Sequence, residues 1–290
     1  MIISCSRRTD IPSFYSRWLF NRLRDGFCFV KNPFNPNQIS RVDLKPETVT
    51  AIVFWTRFPE PMLGDICLLD EIGFKYYFLI TLNNYPKKYE ENNPTLSKSI
   101  KSIYKLNDLT DSDKIIWRYD PMIINKELDF DFHLKNFEYL CKQLERKVKK
   151  VITSIVNPYK KSLKLMRNKN LEIDESVRSL QGFRKFLSYL KTIALSSNLA
   201  LEICSDSMDF SDIGIEPARC IDNRLLNKLF HLNLKYTKDK SQRKECTCTI
   251  SKDIGTYNTC IMNCNYCYAT LNQNTAQFNH KSHDERNPNL

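Results

Sequence analysis

The chain has 290 residues, 42% of them hydrophobic and 12% aromatic, with only six glycines, a composition that suits a large buried core and excludes a disordered protein. It contains no apolar run long enough to span a bilayer, and its opening Met-Ile-Ile-Ser-Cys-Ser-Arg-Arg-Thr-Asp becomes charged too early for a secretory signal; a cytoplasmic protein without membrane contact is expected. The formal net charge of +11 fits an anionic partner, nucleic acid among them, or a lysine-rich solvated surface.

Along the chain, short apolar runs alternate with amphipathic stretches. The runs cover residues 2–4, 50–55, 76–82, 114–119, 149–156 and 199–204. None alternates cleanly between polar and apolar, which predicts strands buried on both faces. A first helix begins at Asp10 or Ser13, admits Pro12 in its first turn, buries Phe14, Trp18, Leu19 and Leu23, and stops at Gly26. Further helices are predicted over residues 63–72 (stopped by Gly73), 97–106, 132–148 and 177–195. Strands separated by helices make parallel units with right-handed crossovers, so the fold expected is α/β: a (β/α) barrel or partial barrel, with a doubly wound open sheet as the alternative.

In such folds sites form where the strands end. The predicted strand ends carry Arg7, Arg8, Thr9 and Asp10; Thr56 and Arg57; Thr81, Asn83 and Asn84; Arg118 and Asp120; Ser154 and Asn157; and Cys204, Ser205 and Asp206. Six polar ends in succession point to one polar pocket. Asp10 also suits a helix cap. Arg118 and Asp120, two apart on one strand, face the same side, and Pro121 is expected to end that strand's pairing. Trp55, Trp117 and Tyr119 suit either stacking on a base or the core. His133, His231, His280 and His283 form no ligand constellation.

The 11 cysteines are many for a reducing compartment, where they serve more often as metal ligands or reactive thiols than as disulfides. Cys5, Cys28, Cys67 and Cys141 lie in apolar or helical surroundings and read as packed small hydrophobes. Cys260, Cys264 and Cys267, in Cys-Ile-Met-Asn-Cys-Asn-Tyr-Cys, offer three soft donors on one tight loop. A structural zinc needs four ligands, which Cys246 or Cys248 would complete. Cys204, Cys220, Cys246 and Cys248 form a second set, sufficient for a second [4Fe–4S] cluster or a zinc, or else packed thiols.

The C-x3-C-x2-C spacing, with Tyr266 before the last cysteine, resembles the cluster motif of radical S-adenosylmethionine (SAM) enzymes. The resemblance implies a [4Fe–4S] cluster on Cys260, Cys264 and Cys267, SAM on its open iron, and reductive cleavage to a 5′-deoxyadenosyl radical that abstracts a substrate hydrogen. It also implies a low-potential electron donor, ferredoxin or flavodoxin. Ser-Arg-Arg-Thr-Asp-Ile-Pro-Ser-Phe-Tyr at the start, Asn-Pro-Phe-Asn-Pro at 32–36, Val-Phe-Trp-Thr at 53–56, Trp-Arg-Tyr-Asp-Pro at 117–121 and Asp-Ile-Gly-Thr-Tyr-Asn-Thr-Cys before the triad resemble, more particularly, a domain-of-unknown-function family with such a C-terminal cysteine cluster. In radical SAM enzymes the motif usually follows the first strand; here it follows six units. A barrel's first and last units are neighbours, so a circular rearrangement would bring the loop to the same mouth.

No adjacent glycines supply the Gly-Gly-Glu-like segment that often contacts the SAM amino group. The resemblance therefore assigns cofactor contacts to Thr56, Thr81, Tyr266, Asp10, Ser154 and Asn157. It assigns carboxylate, ribose or catalytic roles to Arg118, Asp120, Arg7 and Arg8. The substrate would be nucleic acid or an anionic small molecule. The expected organisation is a barrel-like core over 1–205, a cysteine-rich segment over 206–272 and a mobile polar tail over 273–290. The competing reading is a zinc-stabilised nucleic-acid-binding protein without catalysis.

Overall fold

The structure, a computed structural model, describes residues 1–33 and 35–290, with the Pro36 side chain left out. Phe34 of the motif at 32–36 therefore lies outside the described residues. In chain order the elements are β1 (Ile2–Cys5), α1 (Ile11–Phe14), α2 (Ser16–Asp25), β2 (Phe27–Asn32), β3 (Asn35–Asp43), β4 (Ala51–Thr56), α3 (Cys67–Ile72), β5 (Tyr76–Thr81) and α4 (Leu96–Leu109). They continue with β6 (Ile115–Met122), α5 (Phe130–Leu144), β7 (Lys150–Ile155), α6 (Lys160–Asn168), α7 (Phe183–Ser196), β8 (Ala200–Ile203), β9 (Glu216–Pro217), α8 (Asn223–Phe230), β10 (Lys252–Asp253) and α9 (Gln273–Lys281). The fold is mixed α/β, with parallel sheet strands flanked by helices.

The chain divides into two compact units. The first comprises Met1–Leu79, Pro86–Thr110 and Ser251–Leu290. Its sheet strands follow the order β10-β1-β4-β5. β1 pairs in parallel with β4, Ile3 opposite Ile52, and on its other side with β10, Ile3 opposite Lys252. All residues of β1, β4 and β5 are buried, as expected for strands covered on both faces. The predicted first helix is two helices: Asp10 caps α1 by accepting from the Ser13 N–H at 3.1 Å, the chain turns at Tyr15, and α2 runs to Gly26 in the left-handed region at φ 74°. β2 and β3 form a separate antiparallel hairpin.

The second unit comprises Ile80–Tyr85 and Asp111–Ile250, with strand order β6-β7-β8-β9. β6 does not stop before Pro121: it continues to Met122, with the β7 register slipping between Tyr119 and Met122 so that Pro121 falls where ladder bonds are already interrupted. Trp117 and Tyr119 belong to the core, at 1% and 0% exposure, and the Trp117 Nε1–H donates to the Leu82 carbonyl at 2.9 Å.

The units cut across the expected division. Residues 206–250 group with β6 to β9, whereas 251–290 return to the unit that holds β1. The segment expected as a mobile tail contains α9 and lies against α2: Trp18 Nε1–H, Asn21 Nδ2–H and Arg22 Nη2–H donate to the carbonyls of Asn287, Glu285 and Arg286 at 2.9, 3.1 and 3.0 Å. Cys5, Cys28 and Cys141 are buried as expected; Cys67, at the start of α3, is exposed. Among the described residues no helix is long and apolar enough to cross a membrane.

Candidate functional site

The residues singled out from the sequence fall into two groups, one in each unit.

In the first unit, β10 carries the cysteine loop to the edge where β1 and β4 also end, because all three run parallel. Asp253 organises the join. Its carboxylate accepts from Ser4 Oγ–H and Ser6 Oγ–H at 2.8 Å each, from the Arg7 N–H at 2.8 Å and from the Gly255 N–H at 3.0 Å. Gly255 is required by space: a Cβ there would stand 2.0 Å from Ser6 Oγ and 2.9 Å from Thr9 Oγ1. Thr9 Oγ1 accepts from the Thr256 N–H at 3.0 Å and lies 2.7 Å from Thr259 Oγ1. The Tyr15 hydroxyl donates to the Thr259 carbonyl at 2.7 Å. The opening Ser-Arg-Arg-Thr-Asp and the late Asp-Ile-Gly-Thr-Tyr-Asn-Thr segment are thus one structure.

The loop from Cys260 then lies along the segment that follows β5. Glu90 and Cys264 form an isolated antiparallel bridge. The Asn265 N–H donates to the Tyr89 carbonyl at 2.9 Å, and Asn92 Nδ2–H to the Ile261 carbonyl at 2.9 Å. Beneath the loop, Arg57 Nη1 meets Glu90 Oε1 at 2.7 Å, Arg57 Nη2–H donates to the Tyr266 hydroxyl at 2.5 Å, and that hydroxyl donates to Glu90. All three side chains are largely desolvated, with Arg57 at 13% and Glu90 at 5% exposure. Burial pushes the Cys264 thiol well above its ordinary value; Arg57 pulls it down, and Glu90, Cys267 and Cys260 push it up. Cys260 is pushed up to about 12, chiefly by burial and then by Asp10 and Cys267. Arg57 resists the lowering effect of its own burial because Cys264, Glu90 and Tyr266 adjoin it.

The thiols of Cys260, Cys264 and Cys267 are therefore close enough to feel one another's charge. Among the described residues, however, no group of three or more His, Cys, Asp or Glu side chains is arranged to hold a metal ion. The donor chemistry suits a soft metal centre: three thiols, an adjacent cation and a Cys267 Sγ that accepts from the Ala269 N–H at 3.3 Å.

Other expected contacts have protein partners. Asp10 also accepts from the Arg57 N–H at 2.8 Å, and burial raises its pKa against these hydrogen bonds. Thr56 Oγ1 lies 3.1 Å from Ser13 Oγ and accepts from the Phe58 N–H at 3.0 Å. Arg7 lies over the Trp55 ring at 5.1 Å and Arg8 over Tyr257 at 5.2 Å. Arg57 was among the polar strand ends, but its role, and those of Glu90, Asn93 and Asp253, had no local signal.

In the second unit, Asp120 accepts from Arg118 and from Ser154 Oγ–H, and its backbone N–H donates to Asn83 Oδ1 at 2.8 Å. Arg118 and Asp120 do share a side of the strand. Thr81 is buried at its strand end; the Asn157 carbonyl accepts from the Tyr159 N–H at 2.8 Å. Cys204, at the end of β8, and Cys220 have sulfurs 3.7 Å apart. The Cys204 pKa is lowered, first by the hydrogen bond from Cys220, whose own pKa is raised well above the ordinary value by its bonds to Cys204 and Cys248 and by burial.

A family model described as a domain of unknown function, DUF1848, matches residues 2–269. The chain belongs to that family. No curated protein matches it. The DUF1848 match takes in β1 and both cysteine groups and extends through Ala269, where the cysteine loop ends.

Proposed function

We propose that the chain is a radical SAM enzyme on a partial barrel, with Cys260, Cys264 and Cys267 holding a [4Fe–4S] cluster. When bound, that cluster supplies the electron that cleaves SAM to a 5′-deoxyadenosyl radical. What supports the reading is the position of β10. In sequence it comes late, but in its unit it is the edge strand of the order β10-β1-β4-β5. An edge position beside β1 supports reading the loop that leaves β10 as the counterpart of one that follows a first strand.

The residues that would serve this chemistry all lie in the first unit. Asp253 and Gly255 fix the start of the loop against β1. Arg57 offsets thiolate charge at Cys264, while Tyr266 and Glu90 hold the loop on the segment after β5. Arg7 and Arg8 supply cationic groups at the same edge for the carboxylate of SAM or an anionic substrate.

The test is anaerobic reconstitution with iron and sulfide, followed by a low-potential reductant and SAM. The expected result is about four irons on the triad and release of 5′-deoxyadenosine, both lost in Cys264→Ala. Iron uptake with SAM left intact would reduce the centre to electron transfer. A triad that takes up zinc alone would favour the zinc-stabilised nucleic-acid-binding reading.

A further inference from the structure

The second unit contains four cysteines that the proposed reaction does not use. Cys204 ends β8, Cys220 precedes α8, and Cys246 and Cys248 lie on the segment before β10. All are nearly fully buried, at 8%, 2%, 7% and 2% exposure. The sulfurs of Cys204 and Cys220 are 3.7 Å apart, and Cys248 is near enough to Cys220 and to Cys246 to push both thiols up.

We propose that Cys204, Cys220, Cys246 and Cys248 form a structural site for one zinc ion, separate from the cysteine loop of the first unit. Of the two metals that four thiolates can hold, the separation of the Cys204 and Cys220 sulfurs favours zinc. A tetrahedral zinc with Zn–S bonds of about 2.3 Å places its sulfurs about 3.8 Å apart. In a cubane each thiolate binds a different iron, and the thiolates do not touch. The 3.7 Å contact between Cys204 and Cys220 matches the single ion.

Two neighbouring groups suit such a site. The Ile221 N–H donates to Cys248 Sγ at 3.5 Å, the kind of backbone bond that orients a thiolate ligand. Arg118 is close enough to act on both Cys204 and Cys220; four thiolates on a divalent ion carry a net charge of −2, which a neighbouring guanidinium offsets. Each thiol gives up a proton to solvent as the metal binds.

The site also answers a structural need. From Ser205 to Ile250 regular structure amounts to one 3-10 turn at Ser211–Ile213, the two-residue β9 and α8. A metal joining the end of β8 to both Cys220 and the Cys246–Cys248 pair would staple that stretch to the sheet. Among the described residues no three such side chains are already arranged to hold a metal ion, so binding has to gather these sulfurs.

The experiment uses the full chain with Cys260, Cys264 and Cys267 all changed to Ala, which removes the loop's donors and makes the result independent of SAM chemistry. The probe is cobalt(II), titrated anaerobically into chelator-treated protein. Expected is saturation at a single equivalent with intense thiolate charge-transfer absorption, displaced by zinc and lost when Cys248→Ser is added. Because Cys248→Ser can misfold, thiol alkylation of the chain with these four cysteines intact provides a second readout. Zinc should protect Cys204, Cys220, Cys246 and Cys248, and a chelator should expose them. No cobalt absorption in the triple variant, labelling indifferent to zinc, or retention of iron and sulfide by these four would overturn the assignment.

Discussion

Arg57 shows how one side chain ties a strand end to a distant loop. It leaves β4, pairs with Glu90, and touches Tyr266, more than 200 positions later in the chain. A desolvated pair of this kind adds little over an apolar pair, yet losing one partner strands a buried charge, at about 3 kcal/mol or more. Arg57→Met should therefore destabilise the fold by about 3 kcal/mol in denaturant unfolding, whereas Arg57→Met combined with Glu90→Gln should cost less than the sum of the single changes. Additive losses would show that the two do not act as a pair. His133 offers a different test. It is fully buried, within 2.8 Å of the Tyr119 hydroxyl and 3.0 Å of the Ile123 carbonyl, and burial lowers its pKa to about 4. An unfolded histidine titrates near ~6.5, so between these values the unfolded chain binds more protons. This contribution to stability is complete above about 6.5 and declines as pH falls toward the folded value, reaching ~2 kcal/mol of loss at pH 5. Urea midpoints measured from pH 7 to pH 5 should fall for this reason, and His133→Gln should flatten that part of the slope.

Among the elements, the strands legible in the sequence were those that bury both faces, because an unbroken apolar run is a signal contained within the strand. β10 has no such signal. It is Lys252 and Asp253, two polar residues that become a strand only by pairing with β1. The hairpin of β2 and β3 was missed for a related reason: β2 alternates between half-exposed and buried positions only over Phe27–Val30, is followed at once by Pro33, and pairs with β3. The split between α1 and α2 needed the Tyr15 backbone, which no residue pattern announces. The turn after β10 can be tested through Gly255. Gly255→Ala would drive a methyl into Ser6 Oγ and Thr9 Oγ1, and overpacking of this kind costs about 1–3 kcal/mol. The expected outcome is a lower unfolding midpoint together with weaker iron retention after reconstitution. An unchanged midpoint would mean that β1 and the segment after β10 are not held as closely as their hydrogen bonds imply.

For the whole molecule, what could be read from the sequence was the chemistry of the donors; their surroundings had to come from the fold. Three cysteines at close spacing mark themselves. Glu90, Asn93 and Asp253 carry no local mark, since each becomes relevant through a partner far along the chain: Asn93 Oδ1 lies 3.9 Å from Cys264 Sγ, and Asp253 holds Ser4, Ser6 and Arg7. The polar residues after 272 misled for the opposite reason. Their hydrophilic composition reads as solvated, yet it is mainly their backbone carbonyls that are used: Asn287 and Arg286 accept from Trp18 and Arg22 of α2, and Pro288 accepts from the Phe29 N–H at 2.7 Å. Asn279 Nδ2–H reaches the Asn258 carbonyl at 2.9 Å, next to Thr259, while the rings of His280 and His283 stand edge-on to Tyr15 at 5.3 and 5.0 Å. Tyr15 in turn holds the Thr259 carbonyl, one residue before Cys260. Deleting residues 273–290 should thus act twice. Buried donors of α2 and β2 lose their acceptors at about 1 kcal/mol or more each, and the loop loses support on the Tyr15 side. A truncated chain should unfold at lower denaturant and, once reconstituted, release iron to a chelator faster than the full chain. If it unfolds at lower denaturant but keeps its iron equally well, the tail stabilises α2 without supporting the cysteine loop, and the coupling through Tyr15 is wrong.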